Sequence, residues 1–343
     1  MKRIIYLIYY IWKLDWPKFR TFLAYVHNEY HQSKLRILAD VLLSSIRYNI
    51  SVLEYFQFGF YRISKEERKT YAGTGYMYEY QLAMNPRKER VILDDKRLFY
   101  KKYGKFIRHK VADYNDLLTD PGLADSLLSN PGGSLVFKVF NGKCGQQVDF
   151  RRCDELTPTQ IVEFMREKGF DLAEEFILQH SDMSSLSPSA VNTVRIFTQL
   201  NSNNEVELLG CRLRISVDSP VDNMAAGNLA ASVDEKTGII EGPGVYSDIT
   251  RHDETIHPIT GTMIGGFKVP YWADTIKMVR EAALLNPQNR SIGWDIAITS
   301  DGPDLIEGNH DWCKLVWQLP VKRGLKPVLE RHLSEYRKKR RRE

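Results

Sequence analysis

The sequence predicts an α+β protein whose first 90 residues are mainly helical and whose remainder contains two strand-rich units. The helical prediction rests on leucine and isoleucine residues that recur at three- and four-residue spacing between positions 35 and 46, which is typical of one apolar helix face. The strand prediction rests on two stretches, Asn192–Leu200 and Glu205–Val217, that flank a polar Asn-Ser-Asn-Asn turn like the two strands of a β-hairpin. No internal repeat or low-complexity linker separates the units, so we expect them to face each other closely.

Local signals place the individual elements. A helix is expected to begin at Asp15-Trp16-Pro17, because proline is favoured in a first turn, and Ser64 with Glu67 forms a capping-box pattern. The elements expected later are a short helix from Asp94-Asp95, a strand at Ser134–Phe140, a glycine-containing turn at Asn141–Gly145, a helix from Thr157-Pro158 that stops before Gly169, an extended segment at Glu174–His180, a helix at Trp272–Leu285, and a hairpin of Gly293–Thr299 with Asp304–Asn309. They divide the chain into a helical region (1–90), a smaller unit (91–180), a larger unit (181–328) and a basic tail (329–343).

Composition narrows the class of protein. With 43% hydrophobic and 27% charged residues the chain is an ordinary globular protein. Its net charge of +5 is matched by the tail 331–343, which holds seven Lys or Arg and two Glu, so the rest of the chain is neutral. That distribution argues against nucleic acid as the main partner; the tail fits an anionic surface or a solvated chain end. Four cysteines without a CxxC pair favour a reducing, cytoplasmic compartment.

The N-terminal stretch is apolar from Ile4 to Trp12, between basic residues. Nine residues are too few to span a bilayer, which needs about 20. The stretch is therefore either the first helix of the core, which we favour, or a short interfacial anchor.

The most informative segment is GWDIAITSDGPDLIEGN, residues 293–309. Because strand side chains alternate faces, a five-residue loop from Thr299 to Pro303 would put Asp295 directly across from Glu307, on the same face as Asn309. Two facing carboxylates are destabilising unless a cation lies between them. Carboxylate and amide oxygens are ligands that Mg²⁺ accepts, so Asp295, Glu307 and Asn309 are the predicted metal ligands.

This pattern resembles the ATP-grasp superfamily, specifically its sugar-transfer-associated branch, from about residue 50 to residue 325. The resemblance implies two α+β lobes that sandwich ATP, with the same three residues holding Mg²⁺, for which Mn²⁺ could substitute. It further implies ATP contacts from residues in the smaller unit and the loop after the second arginine strand. These are Lys96, Lys138, Gly142, Gly145, Glu174, Glu175, Phe176, Ile177, Gln179 and Asn223.

Two arginines on neighbouring predicted strands, Arg195 and Arg214, match the arginine positions of the branch. A guanidinium fork suits a phosphoryl group in transit, so both are candidate catalytic residues. The resemblance implies a carbon–nitrogen ligase that joins a saccharide carboxylate to an amine through an acyl phosphate, in surface polysaccharide biosynthesis. The expected site of action is the cytoplasm or the inner face of an anionic membrane. The alternatives are an ATP-dependent phosphotransferase of the same fold and a non-catalytic lipid- or nucleic-acid-binding protein.

Overall fold

The structure is a computed structural model that describes residues 2–140, 142 and 148–340. Its helices are α1 (Lys2–Trp12), α2 (Trp16–Tyr30), α3 (Lys34–Tyr48), α4 (Val52–Gln57), α5 (Lys65–Lys69), α6 (Thr74–Met84), α7 (Val91–Asp94), α8 (Lys96–Tyr103), α9 (Tyr114–Thr119), α10 (Pro121–Leu128), α11 (Pro158–Lys168), α12 (Ser181–Leu186), α13 (Trp272–Leu285), α14 (Lys314–Gln318) and α15 (Lys326–Arg340). Its strands are β1 (Val111–Asp113), β2 (Ser134–Lys138), β3 (Val148–Arg152), β4 (Leu172–Glu175), β5 (Val194–Leu200), β6 (Val206–Ile215), β7 (Leu229–Val233), β8 (Ile240–Val245), β9 (Ser291–Thr299) and β10 (Gly302–Asn309).

The N-terminal helices begin where their capping residues predict. Asp15 accepts a hydrogen bond from the backbone N–H of Lys18 at the start of α2, and α5 begins with the capping box of Ser64 and Glu67. Helices α2, α3 and α4 share a core that includes Phe22, Val26, Ile37, Tyr55 and Phe56. Both helix starts are therefore confirmed.

The apolar face predicted for α3 is wrong. Leu35 is 81% exposed and Leu42 is 44% exposed, whereas the buried residues of the helix include Ile37 and Val41. An ion pair fixes this orientation, because Asp40 receives bonds from Arg68 and Tyr55, which turns its side of the helix inward. Leucine spacing alone could not reveal that polar contact.

The N-terminal stretch forms α1, which contributes to the core through Tyr10, with Tyr6 packed beside it. Its other face is not covered, since Ile5, Ile8 and Trp12 are 61%, 63% and 72% exposed. Within the described ranges, no helix is long and apolar enough to cross a membrane.

The smaller antiparallel sheet has the strand order β1-β4-β2-β3. Helices α9, α10 and α11 pack against it around Phe137, Ile161 and Met165. Helix α11 starts after the cap Thr157 and ends at Gly169, whose φ of 73° is the left-handed conformation that glycine adopts without strain. The predicted bounds of this helix are confirmed.

The larger antiparallel sheet has the order β10-β9-β5-β6-β7-β8 and contains both predicted hairpins. Helices α8 and α13 contribute to the core on one face, whereas Trp312 and Trp317 pack with Phe197 in a separate core that includes residues of α6 and α15. Phe99 and Tyr103 of α8 thus lie in the core of the larger sheet, and the division of the chain at residue 91 stays a proposal.

The basic tail continues α15 as far as Arg340, with Leu329 and His332 buried. Lys339 Nζ donates to the carbonyl of Ser202 at 2.9 Å, in the turn between β5 and β6. The first part of the tail is therefore packed, whereas the basic residues 337–340 are exposed.

Candidate active site

A cavity of about 460 Å³ lies between the two sheets. The predicted site residues that line it are Lys96, Lys138, Gly142, Glu174, Glu175, Phe176, Ile177, Arg214, Asn223, Asp295 and Glu307. They come from helix α8, both sheets and the loop before β7. The fold therefore gathers side chains that are up to 211 positions apart in sequence, from Lys96 to Glu307.

The hairpin of β9 and β10 pairs Glu307 directly with Asp295, as predicted, but by a different route. Gly302 already pairs with Thr299, so the turn has two residues, and a β-bulge between Leu305 and Glu307 supplies the remaining offset. A bulge adds one residue and reverses the alternation of faces. Regular alternation would place Leu305 on the face of Glu307, but with the bulge Leu305 lies in the hydrophobic core instead.

Asp295 is 1% exposed and is held by two arginines. Arg195 donates from Nε to Oδ1 and from Nη2 to Oδ2, the latter at 2.6 Å, and Arg214 Nη2 lies 3.1 Å from Oδ2. Burial by itself raises the pKa of a carboxyl group, but the two guanidinium groups outweigh it and lower the pKa of Asp295 to about 2. Asp295 is therefore an anion at neutral pH.

Arg214 and Arg195 occupy different positions. Among the described residues, Arg214 lines the cavity and Arg195 does not. Arg214 Nε donates to Thr193 Oγ1 at 2.8 Å, and Thr193 Oγ1 donates in turn to Asp222 Oδ2 at 2.6 Å. Burial raises the pKa of Asp222, although the charge of Arg214 opposes this shift. Arg214 is thus the arginine placed to contact a ligand, and Arg195 orients Asp295.

Glu307 carries the less compensated of the two facing charges. Burial raises its pKa first, and the negative charge of Asp295 raises it further. Asn309 Nδ2 donates to Glu307 Oε1 at 3.0 Å, so the amide lies beside the carboxylate. A bound cation would remove this conflict. Among the described residues, no group of three or more His, Cys, Asp and Glu side chains could hold a metal ion.

Both predicted lysines border the cavity. Lys138 Nζ forms an ion pair with Glu174 Oε2, and Tyr100 donates to the other oxygen of Glu174 at 2.6 Å. Burial would raise the pKa of Glu174, but Lys138 and then His109 outweigh it and lower that pKa. Lys96 Nζ donates to the carbonyl of Gly142 at 2.6 Å. Glu174 is therefore an anchor for Lys138. The predicted Gly145 lies outside the described residues.

The two glutamates at the end of β4 have different surroundings. Glu175 Oε2 is buried and has no hydrogen-bond partner among the described residues. A buried carboxylate oxygen without a donor is costly, and hydroxyl groups such as those of ribose would satisfy it. Phe176 and Ile177 follow it along the cavity wall. This apolar wall with one unsatisfied acceptor fits a nucleoside.

Gln179 has a structural role. Its Nε2 donates to the carbonyls of Ser187 and Ala190 at 2.9 and 3.1 Å, and its Oε1 accepts two bonds from Asn192. Because these protein groups use the whole amide, we reassign Gln179 from nucleotide contact to support of the loop. Asn223 lines the cavity, and its Oδ1 accepts a bond from the N–H of Ala225.

Sequence analysis missed a buried pair behind the lysine. His109 Nδ1 lies 2.8 Å from Asp304 Oδ2, and His109 Nε2 lies 3.8 Å from Glu174 Oε2. Asp304 also accepts bonds from the backbone N–H groups of Arg108 and His109. The signal in the sequence was Asp304, a third carboxylate on the strands of the hairpin; nothing in the sequence around His109 marks it.

Comparison with known proteins gives a family match for the second half of the chain. Residues 165–333 match the family model described as sugar-transfer associated ATP-grasp. A search of curated proteins gives no significant match. Lys96 and Lys138 lie outside the matched range.

The similar solved structures include ATP-grasp ligases. A structure of PsnB complexed with a minimal precursor has 12% identity and a TM-score of 0.42, covering 79% of this chain and 70% of that one. The D-alanine–D-alanine ligase from Coxiella burnetii has 9% identity and a TM-score of 0.42, covering 74% and 61%. An L-amino acid ligase from Bacillus licheniformis has 15% identity and a TM-score of 0.39, covering 78% and 51%. The chain thus spans between half and 70% of these structures.

The two-sheet architecture and the family match define an ATP-grasp protein. Residues 165–333 match the sugar-transfer associated ATP-grasp family, so the predicted resemblance to this branch is confirmed.

Proposed function

We propose that this protein is a Mg²⁺- and ATP-dependent carboxylate–amine ligase that forms an amide through an acyl phosphate. The observation that carries the proposal is the charge arrangement of the cavity. Lys96, Lys138 and Arg214 border the same 460 Å³ space as the facing carboxylates of Asp295 and Glu307. Such a site can neutralise a triphosphate and hold a cation beside it, which is most of what catalysis of phosphoryl transfer requires.

Asp295, Glu307 and Asn309 are the residues that would hold Mg²⁺, with Mn²⁺ as a substitute. The bound ion would supply positive charge to the phosphate oxygens during transfer. Glu175 would accept the ribose hydroxyls, and Phe176 and Ile177 would contact the base.

Arg214 would bind the phosphoryl group in transit. In the first step a carboxylate oxygen of the acid attacks the γ-phosphorus of ATP, and ADP leaves. In the second step the nitrogen of an amine attacks the acyl carbon, phosphate leaves, and the nitrogen loses a proton. Both steps need positioned charges and no nucleophilic side chain, which agrees with the residues that line the cavity.

The finer substrate assignment rests on the family description, in which ATP-grasp is associated with sugar transfer. We propose that the acid is a saccharide carboxylate, such as a uronic acid, and that the second substrate is an amino acid or another amine. The product would belong to surface polysaccharide synthesis at the cytoplasmic face of a membrane.

The test is ADP release from Mg·ATP with a panel of uronic acids, in the presence and absence of amines. Hydroxylamine serves as a general amine, because it converts an acyl phosphate to a hydroxamate. With acid labelled by ¹⁸O in its carboxyl group, the proposed route transfers one ¹⁸O to the released phosphate.

Glu307→Gln should abolish turnover, whereas the matched control Glu163→Gln, on the exposed side of α11, should leave it unchanged. Label-free phosphate would exclude the acyl phosphate. A stable phosphorylated product formed without amine would show a phosphotransferase instead.

A further inference from the structure

The surface of α1 is apolar and uncovered. Seven large apolar residues within the first 16 positions are each at least 37% exposed: Ile4, Ile5, Ile8, Tyr9, Ile11, Trp12 and Trp16. Ile4, Ile8 and Trp12 follow one another at four-residue spacing and therefore form a stripe along the helix. An exposed apolar stripe of this kind marks an interaction surface.

Cations surround this stripe. Residues 2–36 contain seven Lys or Arg and only two acidic residues. Lys2 and Arg3 begin the helix and Lys13 follows it. Two aromatic residues, Trp12 and Trp16, stand at its far end, and tryptophan favours the boundary between water and lipid.

A basic cavity of about 360 Å³ opens beside the first turn of α1. Five cationic side chains line it: Lys2, Arg3, Arg47, Lys69 and Lys326. Three of the lysines lie beside a glutamate: Lys2 is 4.0 Å from Glu79, and Lys69 and Lys326 pair with Glu66 and Glu330. Arg3 donates to the carbonyls of Ile46 and Arg47. The hydroxyl of Tyr76, also in the lining, is buried and has no partner among the described residues.

With Glu79, Glu66 and Glu330 beside three of the five cations, this group keeps a net charge of two positive units among the described residues. A phosphate group would neutralise these cations and accept a hydrogen bond from Tyr76. The cavity and the apolar stripe share the first turn of α1, because Lys2 and Arg3 line the cavity while Ile4 and Ile5 begin the stripe.

We propose that α1 docks on an anionic phospholipid surface, with a lipid phosphate in the basic cavity and the stripe of α1 in the acyl-chain boundary. This combination of cations and apolar side chains complements an anionic bilayer on both counts. A second copy of the chain fits less well, since a two-fold contact through α1 would bring the same cations face to face.

The test is co-sedimentation of the full chain with phosphatidylcholine vesicles, with and without about one third phosphatidylglycerol. We expect binding to the anionic vesicles alone. Ile8→Asp should weaken it about tenfold or more, since it removes a buried apolar contact. Arg47→Gln should weaken it about fivefold, the effect of one interfacial cation. The matched control is Leu284→Asp, at a 51% exposed position of α13, which should bind as the wild type does.

Three results would overturn the proposal. The first is equal binding by Ile8→Asp and wild type. The second is no vesicle binding together with thermal stabilisation by soluble glycerol phosphate that Arg47→Gln abolishes, which would show a site for a free phosphate compound. The third is no vesicle binding together with a dimer that Ile8→Asp dissociates. None of these measurements requires ATP turnover, so this proposal can fail while the proposed function stands.

Discussion

Replacing Arg195 by glutamine tests whether the buried Arg195–Asp295 pair stabilises the large sheet. Removing one member of a buried pair leaves an uncompensated charge and costs about 3–5 kcal/mol. Because Arg214 Nη2 remains 3.1 Å from Asp295 Oδ2, we expect a value near the lower end. For a chain of 343 residues, about 3 kcal/mol corresponds to a fall of about 4 °C in Tm.

The pH dependence of unfolding gives a second estimate of how much the ionised Asp295 stabilises the fold. The pKa of Asp295 is lowered from 3.8 to about 2, a difference that corresponds to about 2 kcal/mol of stability. When folding lowers the pKa of a carboxyl group, that group contributes its full share of stability at pH values above its pKa in the unfolded chain. This contribution should therefore be lost as the pH falls from about 4 to about 2. In Arg195→Gln the folded pKa of Asp295 should rise, because burial then meets less opposing charge, so the contribution should be smaller and its loss should be complete at a higher pH.

The assay is thermal unfolding of the wild type, Arg195→Gln, Asp295→Asn and the double variant at neutral pH. The loss of stability in the double variant should be smaller than the sum of the losses in the two single variants, because the double variant leaves no buried unpaired charge. Arg331→Gln is the control; it breaks the ion pair with Glu207, in which Arg331 is 54% exposed, and should cost under about 1 kcal/mol. Additive losses, or equal effects of Arg195→Gln and Arg331→Gln, would refute the reasoning.

Three further predictions follow from other parts of the molecule. Lys138→Gln should weaken Mg·ATP binding by about tenfold to a hundredfold in calorimetry, since it removes a charge-assisted contact to phosphate; unchanged affinity would exclude Lys138 from the nucleotide site. Gly238→Ala should lower the free energy of unfolding clearly more than Gly169→Ala. Both glycines have a φ of 73°, but an added Cβ would lie 2.4 Å from a tryptophan ring at Gly238 and meets nothing at Gly169; equal losses would contradict this packing. Glu54→Gln should cost about 3 kcal/mol in urea unfolding, because it removes a buried carboxylate and leaves the half-buried Lys314, 3.0 Å away, without its counter-charge; a loss under about 1 kcal/mol would show that the pair is not coupled.

The carboxylate hairpin shows how far sequence reasoning reached. Alternation along two strands was enough to place Asp295 opposite Glu307, and the register confirms that pairing. The loop length was wrong, because a two-residue turn and a bulge give the same pairing as the five-residue loop that was predicted. The spacing in the sequence fixes only the total number of residues in the turn and the bulge. The backbone conformation decides how these residues are divided between the two.

The helical region shows where the same reasoning failed. The residue spacing correctly predicted that α3 is a helix. It assigned the wrong face to the core, because leucine is more hydrophobic than serine on any scale, which favoured burial of the leucine positions. The structure buries Ser44 and Ser45 together with Ile37 and Val41, on the side where Asp40 meets Arg68. Such a long-range polar contact leaves no trace in local periodicity.

The sequence by itself determined the helix starts, the hairpin strands, the family match and the acidic pair, since each depends on residues within about 25 positions of one another or on a motif match. The tertiary structure decided which arginine faces the cavity, that Glu174 serves Lys138 while Glu175 is left without a partner, and that His109 lies behind them. It also decided that α1 is uncovered. These properties depend on distances between side chains from different elements, and such distances exist only once the sheets and helices have packed.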